Sequence, residues 1–160
     1  MKIRIMLSAL FLLVLISCHS SLRFAAERSN HSSAHLQGKN RLQQAAERWL
    51  GVPYRYGGND RTGIDCSGLA VQLYREVFHL KLPRNAAAQR TLGYAVHAPY
   101  LKPGDLLFFR FKGEEGIEHV AVYLGNDRFV HASRSRGVVI NKLNDPYYRR
   151  HLIVIRRVLH

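Results

Sequence analysis

His119-Val120-Ala121-Val122-Tyr123-Leu124-Gly125-Asn126-Asp127-Arg128-Phe129-Val130-His131-Ala132-Ser133 reads as two β-strands around a tight turn. β-Branched and aromatic residues fill both arms, and Gly-Asn-Asp between them tolerates left-handed backbone. Successive strand side chains point to opposite faces, so Val120, Val122 and Leu124 share one face and His119, Ala121 and Tyr123 the other. The register then decides whether the two histidines meet. A loop of three residues, Gly125 to Asp127, pairs Tyr123 with Phe129 and Ala121 with His131, which makes His119 and His131 diagonal neighbours on one face. A two-residue loop puts them on opposite faces, so a working histidine pair predicts the longer loop.

Outward from this hairpin, Leu106 to Phe111, Val138 to Asn141 and Leu152 to Val158 are further short strand-like runs, with Pro103-Gly104-Asp105 as turn residues before the first. The stretch from Pro83 to Pro99 is weakly patterned. Before it, helical periodicity takes over. Leu69, Leu73 and Val77 line one side of a helix from Cys66 to Phe78, with Asp65 placed to cap its first turn. Leu42, Ala45, Ala46 and Trp49 mark an earlier helix, from about Asn40 to Leu50, ended by Gly51 and Pro53, and a polar loop from Gly57 to Gly63 joins the two. Helices first and an antiparallel sheet second define an α+β fold.

Cys66 therefore stands at a helix N-terminus, where unpaired N–H groups and the helix dipole favour a thiolate, and the hairpin supplies imidazoles to serve as base. In context, Tyr54-Arg55-Tyr56-Gly57-Gly58, Asp65-Cys66-Ser67-Gly68, Leu82-Pro83-Arg84, Pro103-Gly104-Asp105, His119 to Gly125 and Phe129 to Ser133 resemble the successive signatures of the NlpC family of bacterial cell-wall cysteine peptidases. They cover nearly all of residues 40 to 158 in the family's order and spacing. The resemblance implies a papain-like domain in which Cys66 is the nucleophile, His119 the base and His131 the residue that orients His119. Tyr54 matches a position whose hydroxyl lies near the nucleophile and helps hold the oxyanion. The implied substrate is a peptidoglycan stem peptide, with no metal or organic cofactor. Tyr56 and Ala121 depart from the family's usual residues without removing a reacting group. Two readings remain for Arg84, binding a substrate carboxylate or fixing its loop. The other histidines show no ligand spacing.

The 160 residues suffice for one folded domain. Their net charge of +13, or +11 once Lys2 and Arg4 are removed with a leader, favours anionic partners. The N-terminus narrows the choice. Lys2 and Arg4 precede an apolar run, Ile5 to Ile16, too short to span a bilayer, and Leu15-Ile16-Ser17-Cys18 resembles a bacterial lipobox. The expected organisation is a signal peptide over 1–17, a lipidated Cys18 with a flexible tether over 18–39, and a peptidase domain over 40–160. A tether of about 21 residues typically spans about 25 Å. If Cys18 carries lipid, Cys66 has no disulfide partner, the condition in which a thiol persists for its reactivity. His19 after the acylated cysteine implies, by the sorting rule of Gram-negative lipoproteins, an outer-membrane anchor facing the periplasm. A nucleic-acid partner is not expected, because no base-reading motif accompanies the charge, and the sequence names no protein partner. An amidase or acyltransferase of the same thiol-hydrolase clan, or an inactive wall-binding lipoprotein, are the alternatives to a murein endopeptidase.

Overall fold

The computed structural model describes residues 41–111 and 119–159. The expected leader, Cys18 and tether lie outside the described residues. In helix α1, residues 41–49, the side chains of Leu42, Ala45, Ala46 and Trp49 are all buried, as their three- and four-residue spacing requires. The chain leaves α1 through Gly51, whose φ of +78° suits a residue without Cβ and whose N–H donates to Val138 O at 2.9 Å. What reads as a polar loop contains a small hairpin, β1 (Asn59–Asp60) against β2 (Gly63–Ile64). Asp60 closes its turn by accepting from the N–H and hydroxyl of Thr62. Two-residue strands are too short to leave a periodic signal.

Helix α2 spans Cys66–Phe78, capped where expected: Asp65 Oδ1 accepts from Gly68 N–H at 2.7 Å. Its buried stripe is broader than Leu69, Leu73 and Val77, adding Ala70 and Tyr74. The weakly patterned stretch after Pro83 folds as α3 (Ala86–Arg90), β3 (Tyr94–Ala95) and a 3-10 turn, Ala98–Tyr100. The remaining strands are β4 (Leu106–Phe109), β5 (His119–Gly125), β6 (Arg128–Ser133), β7 (Gly137–Lys142) and β8 (Leu152–Arg157). A helix that lacks apolar periodicity, α4 (Pro146–His151), precedes β8, with Pro146 in its first turn and Asp145 capping it. The six strands form one antiparallel sheet in the order β3-β8-β4-β5-β6-β7.

Two expectations are corrected. Strand β4 ends at Phe109 and not Phe111, because its ladder to β5 runs out at the Phe109–His119 pair. The turn between β5 and β6 has two residues, Asn126 and Asp127, both left-handed at φ 52° and 60°, with Gly125 paired to Arg128. A register shift between Tyr123 and Gly125 supplies the odd residue, so Tyr123 still faces Phe129. The bulge therefore achieves what the three-residue loop was expected to do, and the histidines keep a common face.

Both faces of the sheet are covered. Leu106, Phe108, Val120, Val122, Leu124, Val130 and Val138 pack with α1 and α2, while Leu107, Phe109, Ala121, Phe129 and Ile155 pack with Leu143 and Tyr148. The uninterrupted Leu-Leu-Phe-Phe of β4 is the sequence trace of this burial on both sides. At the far end, Asp105 both accepts from Lys102 N–H, organising the turn, and receives a two-pronged bond from Arg157 at 2.7 Å per arm, tying that turn to β8.

Candidate active site

The start of α2 is held by one carboxylate. Asp65 accepts from the N–H groups of Gly57 and Gly68, at 2.9 and 2.7 Å, from the Ser67 hydroxyl at 3.0 Å, and from both arms of Arg84, at 2.8 and 3.0 Å. Burial alone would raise its pKa, but Arg84 and the Gly68 N–H outweigh that and hold the carboxyl below the usual range. Arg84 also donates to Ser67 Oγ at 2.9 Å and to Gly58 O. Gly68 has no alternative here, because a Cβ would sit 2.6 Å from Gly58 O and 3.1 Å from Arg84 Nη2. Buried Gln89 completes the clamp, its Nε2 donating to Ser67 O and Pro83 O. Arg84 lines the cleft beside Cys66, and its donors serve the loop.

Cys66 is half-buried, and the backbone N–H groups of Val120, Ser67 and its own residue favour its ionised form. Burial, aided by the Asp65 charge, nevertheless pushes the thiol up from its ordinary value. The helix end therefore does not yield a resting thiolate. His119 Nε2 lies 2.7 Å from His131 Nδ1, with the rings nearly perpendicular at 89°. This leaves Nδ1 of His119 as the nitrogen available to the thiol. A base there needs its lone pair on Nδ1, so Nε2–H donates to His131 Nδ1 and the His131 proton sits on Nε2. That Nε2 is buried without a hydrogen-bond partner among the described residues.

Aromatic rings wall the pair: Phe109 and Phe111 beside His119, Phe129 and Tyr148 beside His131. Burial first, and the Arg134 charge second, push His119 down to about 4. His131 is lowered as well, by burial, by His119 and by Arg136. At neutral pH the site thus rests as thiol and neutral imidazole.

Two clefts flank these groups. One, of about 390 Å³, is lined by Tyr54, Tyr56, Asp65, Cys66, Arg84 and Asn85 among others. The other, of about 270 Å³, is lined by His119, His131, Phe111, Ser133, Arg134, Ser135, Tyr147 and Tyr148. Tyr54 accepts a hydrogen bond from Arg134, yet burial and then the negative charge of an ionised Cys66 push its pKa up, so the phenol keeps its proton. Of the residues singled out in the sequence, Tyr54, Cys66 and Arg84 line the first cleft and His119 and His131 the second, whereas Arg134, Gln89 and Tyr148 are not singled out. Arg134 directly follows the His131-Ala132-Ser133 run, and only its nearness to a motif hints at it. Among the described residues no group of three or more His, Cys, Asp or Glu side chains is placed to hold a metal ion.

A cysteine at a helix N-terminus, packed against an antiparallel sheet that carries two histidines, is the arrangement of a papain-like thiol-hydrolase domain. The model of the NlpC/P60 family matches residues 51–157, and the chain belongs to that family. It is 41% identical over 140 residues, 88% of this chain and 73% of the relative, to the murein DD-endopeptidase MepS/murein LD-carboxypeptidase of Escherichia coli K12. It is 42% identical over 136 residues, 85% of this chain and 71% of the relative, to a probable endopeptidase NlpC homolog of Haemophilus influenzae. Among solved structures, an NlpC/P60 family protein from Bacillus cereus superposes with a TM-score of 0.68 at 33% identity, covering 76% of this chain and 40% of that one.

Proposed function

We propose that the protein is a peptidoglycan peptide hydrolase of the bacterial cell envelope, acting as a murein endopeptidase. The observation that carries this reading is the 2.7 Å contact between His119 Nε2 and His131 Nδ1, with Cys66 at the N-terminus of α2 as the candidate nucleophile. The murein endopeptidase among its relatives supports the substrate class. The thiol proton passes to His119 Nδ1 as sulfur attacks the amide carbonyl, so the resting neutral pair becomes charged only as the C–S bond forms. The oxyanion is met by the Tyr54 hydroxyl, which burial keeps protonated. His119 then gives its proton to the leaving nitrogen, the C–N bond breaks and a Cys66 thioester remains. Water, deprotonated by His119, hydrolyses the thioester, and the proton returns to sulfur. His131 holds the imidazole in the productive tautomer throughout, and Arg84 serves the reaction by holding Asp65 and the first turn of α2.

We also propose that Cys18 is acylated and tethers the domain to the outer membrane, facing the periplasm; the basic start, the apolar run and the lipobox-like Leu15-Ile16-Ser17-Cys18 support this. No helix of the described residues is long and apolar enough to cross a membrane.

Cys66→Ser and His119→Ala should each lower release of murein peptides by at least about 10⁴-fold with unchanged circular dichroism, and the double variant should be hardly worse. Substantial turnover by purified Cys66→Ser would sink the mechanism. Mass spectrometry of the digest names the bond, and the mature chain's mass tests acylation of Cys18.

A further inference from the structure

A column of three rings leads from the buried aromatic core to the mouth of the histidine-side cleft. Phe109, which has no exposure, lies nearly parallel to Phe111, at 5.9 Å and 5°, and Phe111 lies nearly parallel to Tyr147, at 5.4 Å and 9°. The last ring is 48% exposed and lines the cleft with Phe111, His119, Ser133 and Ser135. A ring left half in water adds little to the fold, whereas one whose plane is fixed from beneath is a prepared contact surface. Its backbone is held as well: the Tyr147 N–H donates to Asp145 Oδ1 at 2.8 Å, and the Tyr147 carbonyl lies 2.6 Å from His151 Nδ1. From His119 the column is two ring steps long, 5.6 Å to Phe111 and 5.4 Å onward to Tyr147. A peptide held extended from the reacting bond covers that span in about three residues.

What lies that far along the substrate decides the occupant. On the hydrolase reading, on which this inference rests, the substrate is a peptide carried by a glycan strand. Stem side chains are small or charged and offer a flat ring little. The amino sugar that bears the stem has a flat face of weakly positive C–H groups, which matches the negative face of a phenol ring. The Ser133 and Ser135 hydroxyls, 3.5 Å apart in the same lining, supply donors and acceptors for the sugar's hydroxyl and acetamido groups. We propose that Tyr147 is a sugar-stacking residue that holds the amino sugar next to the stem, so that the protein cleaves glycan-linked peptides in preference to the same peptides without sugar.

The test uses the full chain and two probes, a cross-linked murein peptide dimer that keeps its disaccharides and the same dimer after the disaccharides are removed, and reads cleavage of any stem amide by mass spectrometry. Wild type should favour the sugar-bearing dimer by about tenfold in kcat/KM, the scale of one aromatic stacking contact. Tyr147→Ala should bring that ratio to within about twofold of one, chiefly through KM. Tyr147→Phe should keep the ratio, and Tyr147→Leu, apolar but not flat, should lose it; the leucine variant carries the comparison if the alanine variant folds poorly. No preference in wild type, or equal fractional losses on both dimers in the alanine and leucine variants, would overturn the proposal, since Tyr147 would then only support the cleft. If wild type cleaves neither dimer, the hydrolase reading fails on its own, and calorimetry on Cys66→Ala still decides the role of Tyr147. The sugar-bearing dimer should bind that variant about tenfold more tightly than the bare one, and equal affinities refute the stacking role.

Discussion

On one side the strands β4 to β7 turn Leu106, Val120, Val122, Leu124, Val130 and Val138 against α1 and α2; on the other they turn Phe109 and Phe129 against Tyr148 of α4. The first face is mostly aliphatic and close to featureless, and its product is position: it holds α2 so that Cys66 reaches the start of β5. The second face is aromatic and surrounds two imidazoles with rings. Its product is an environment in which those imidazoles stay neutral. The same strands serve both because alternation lets neighbouring residues, Val120 and His119, belong to different cores. Packing for rigidity and packing for chemistry are thus separated by one residue of sequence.

Truncation should separate the faces. Leu73→Ala, at a side chain with no exposure in the helix-side core, should cost about 2–5 kcal/mol in urea unfolding while leaving kcat of the folded protein within about twofold. Phe129→Leu should cost less stability, about 1 kcal/mol, yet lower kcat several-fold, because its ring lies 5.3 Å from that of His131. Proportionate losses of kcat and stability in both variants would break the division of labour.

Acid should weaken the ring-lined face selectively. An unfolded chain protonates histidine near its ordinary 6.5, whereas folded His119 waits until about 4, so between those values the unfolded state binds more protons and stability falls as pH falls. The loss is about 3 kcal/mol for His119, is complete below its folded value, and adds to that of His131. Urea midpoints from pH 7.5 to 4.5 should therefore drop more steeply for wild type than for His119→Ala. A wild-type midpoint that rose on acidification would mean a charged pair in the native protein.

A further comparison concerns His131 itself. Its Nδ1 acts as an acceptor for His119 Nε2–H, a task an amide oxygen performs, so His131→Asn should retain about tenfold or more activity relative to His131→Leu at matched thermal stability. Equal losses would assign His131 a role specific to imidazole.

Much of this is legible in the sequence. The Asp65 cap, the helix from Cys66 and the strand arms around Gly125-Asn126-Asp127 follow from rules that act within a few residues: side-chain capping, the 3.6-residue helical turn and the two-residue strand period. What only the tertiary structure decided depends on groups brought together from afar. Asp65 meets Arg84 over 19 residues and Asp105 meets Arg157 over 52, and neither partner carries a periodic mark. The bulge before Gly125 settles the histidine register by inserting a residue that composition does not announce. Helix α4 forms without an apolar period, because Tyr148 is buried by the sheet it covers. The neutral resting state of Cys66 and His119 is likewise tertiary: local rules favour the thiolate, but a proton's affinity is set by everything packed around it, and here desolvation outweighs the helix end.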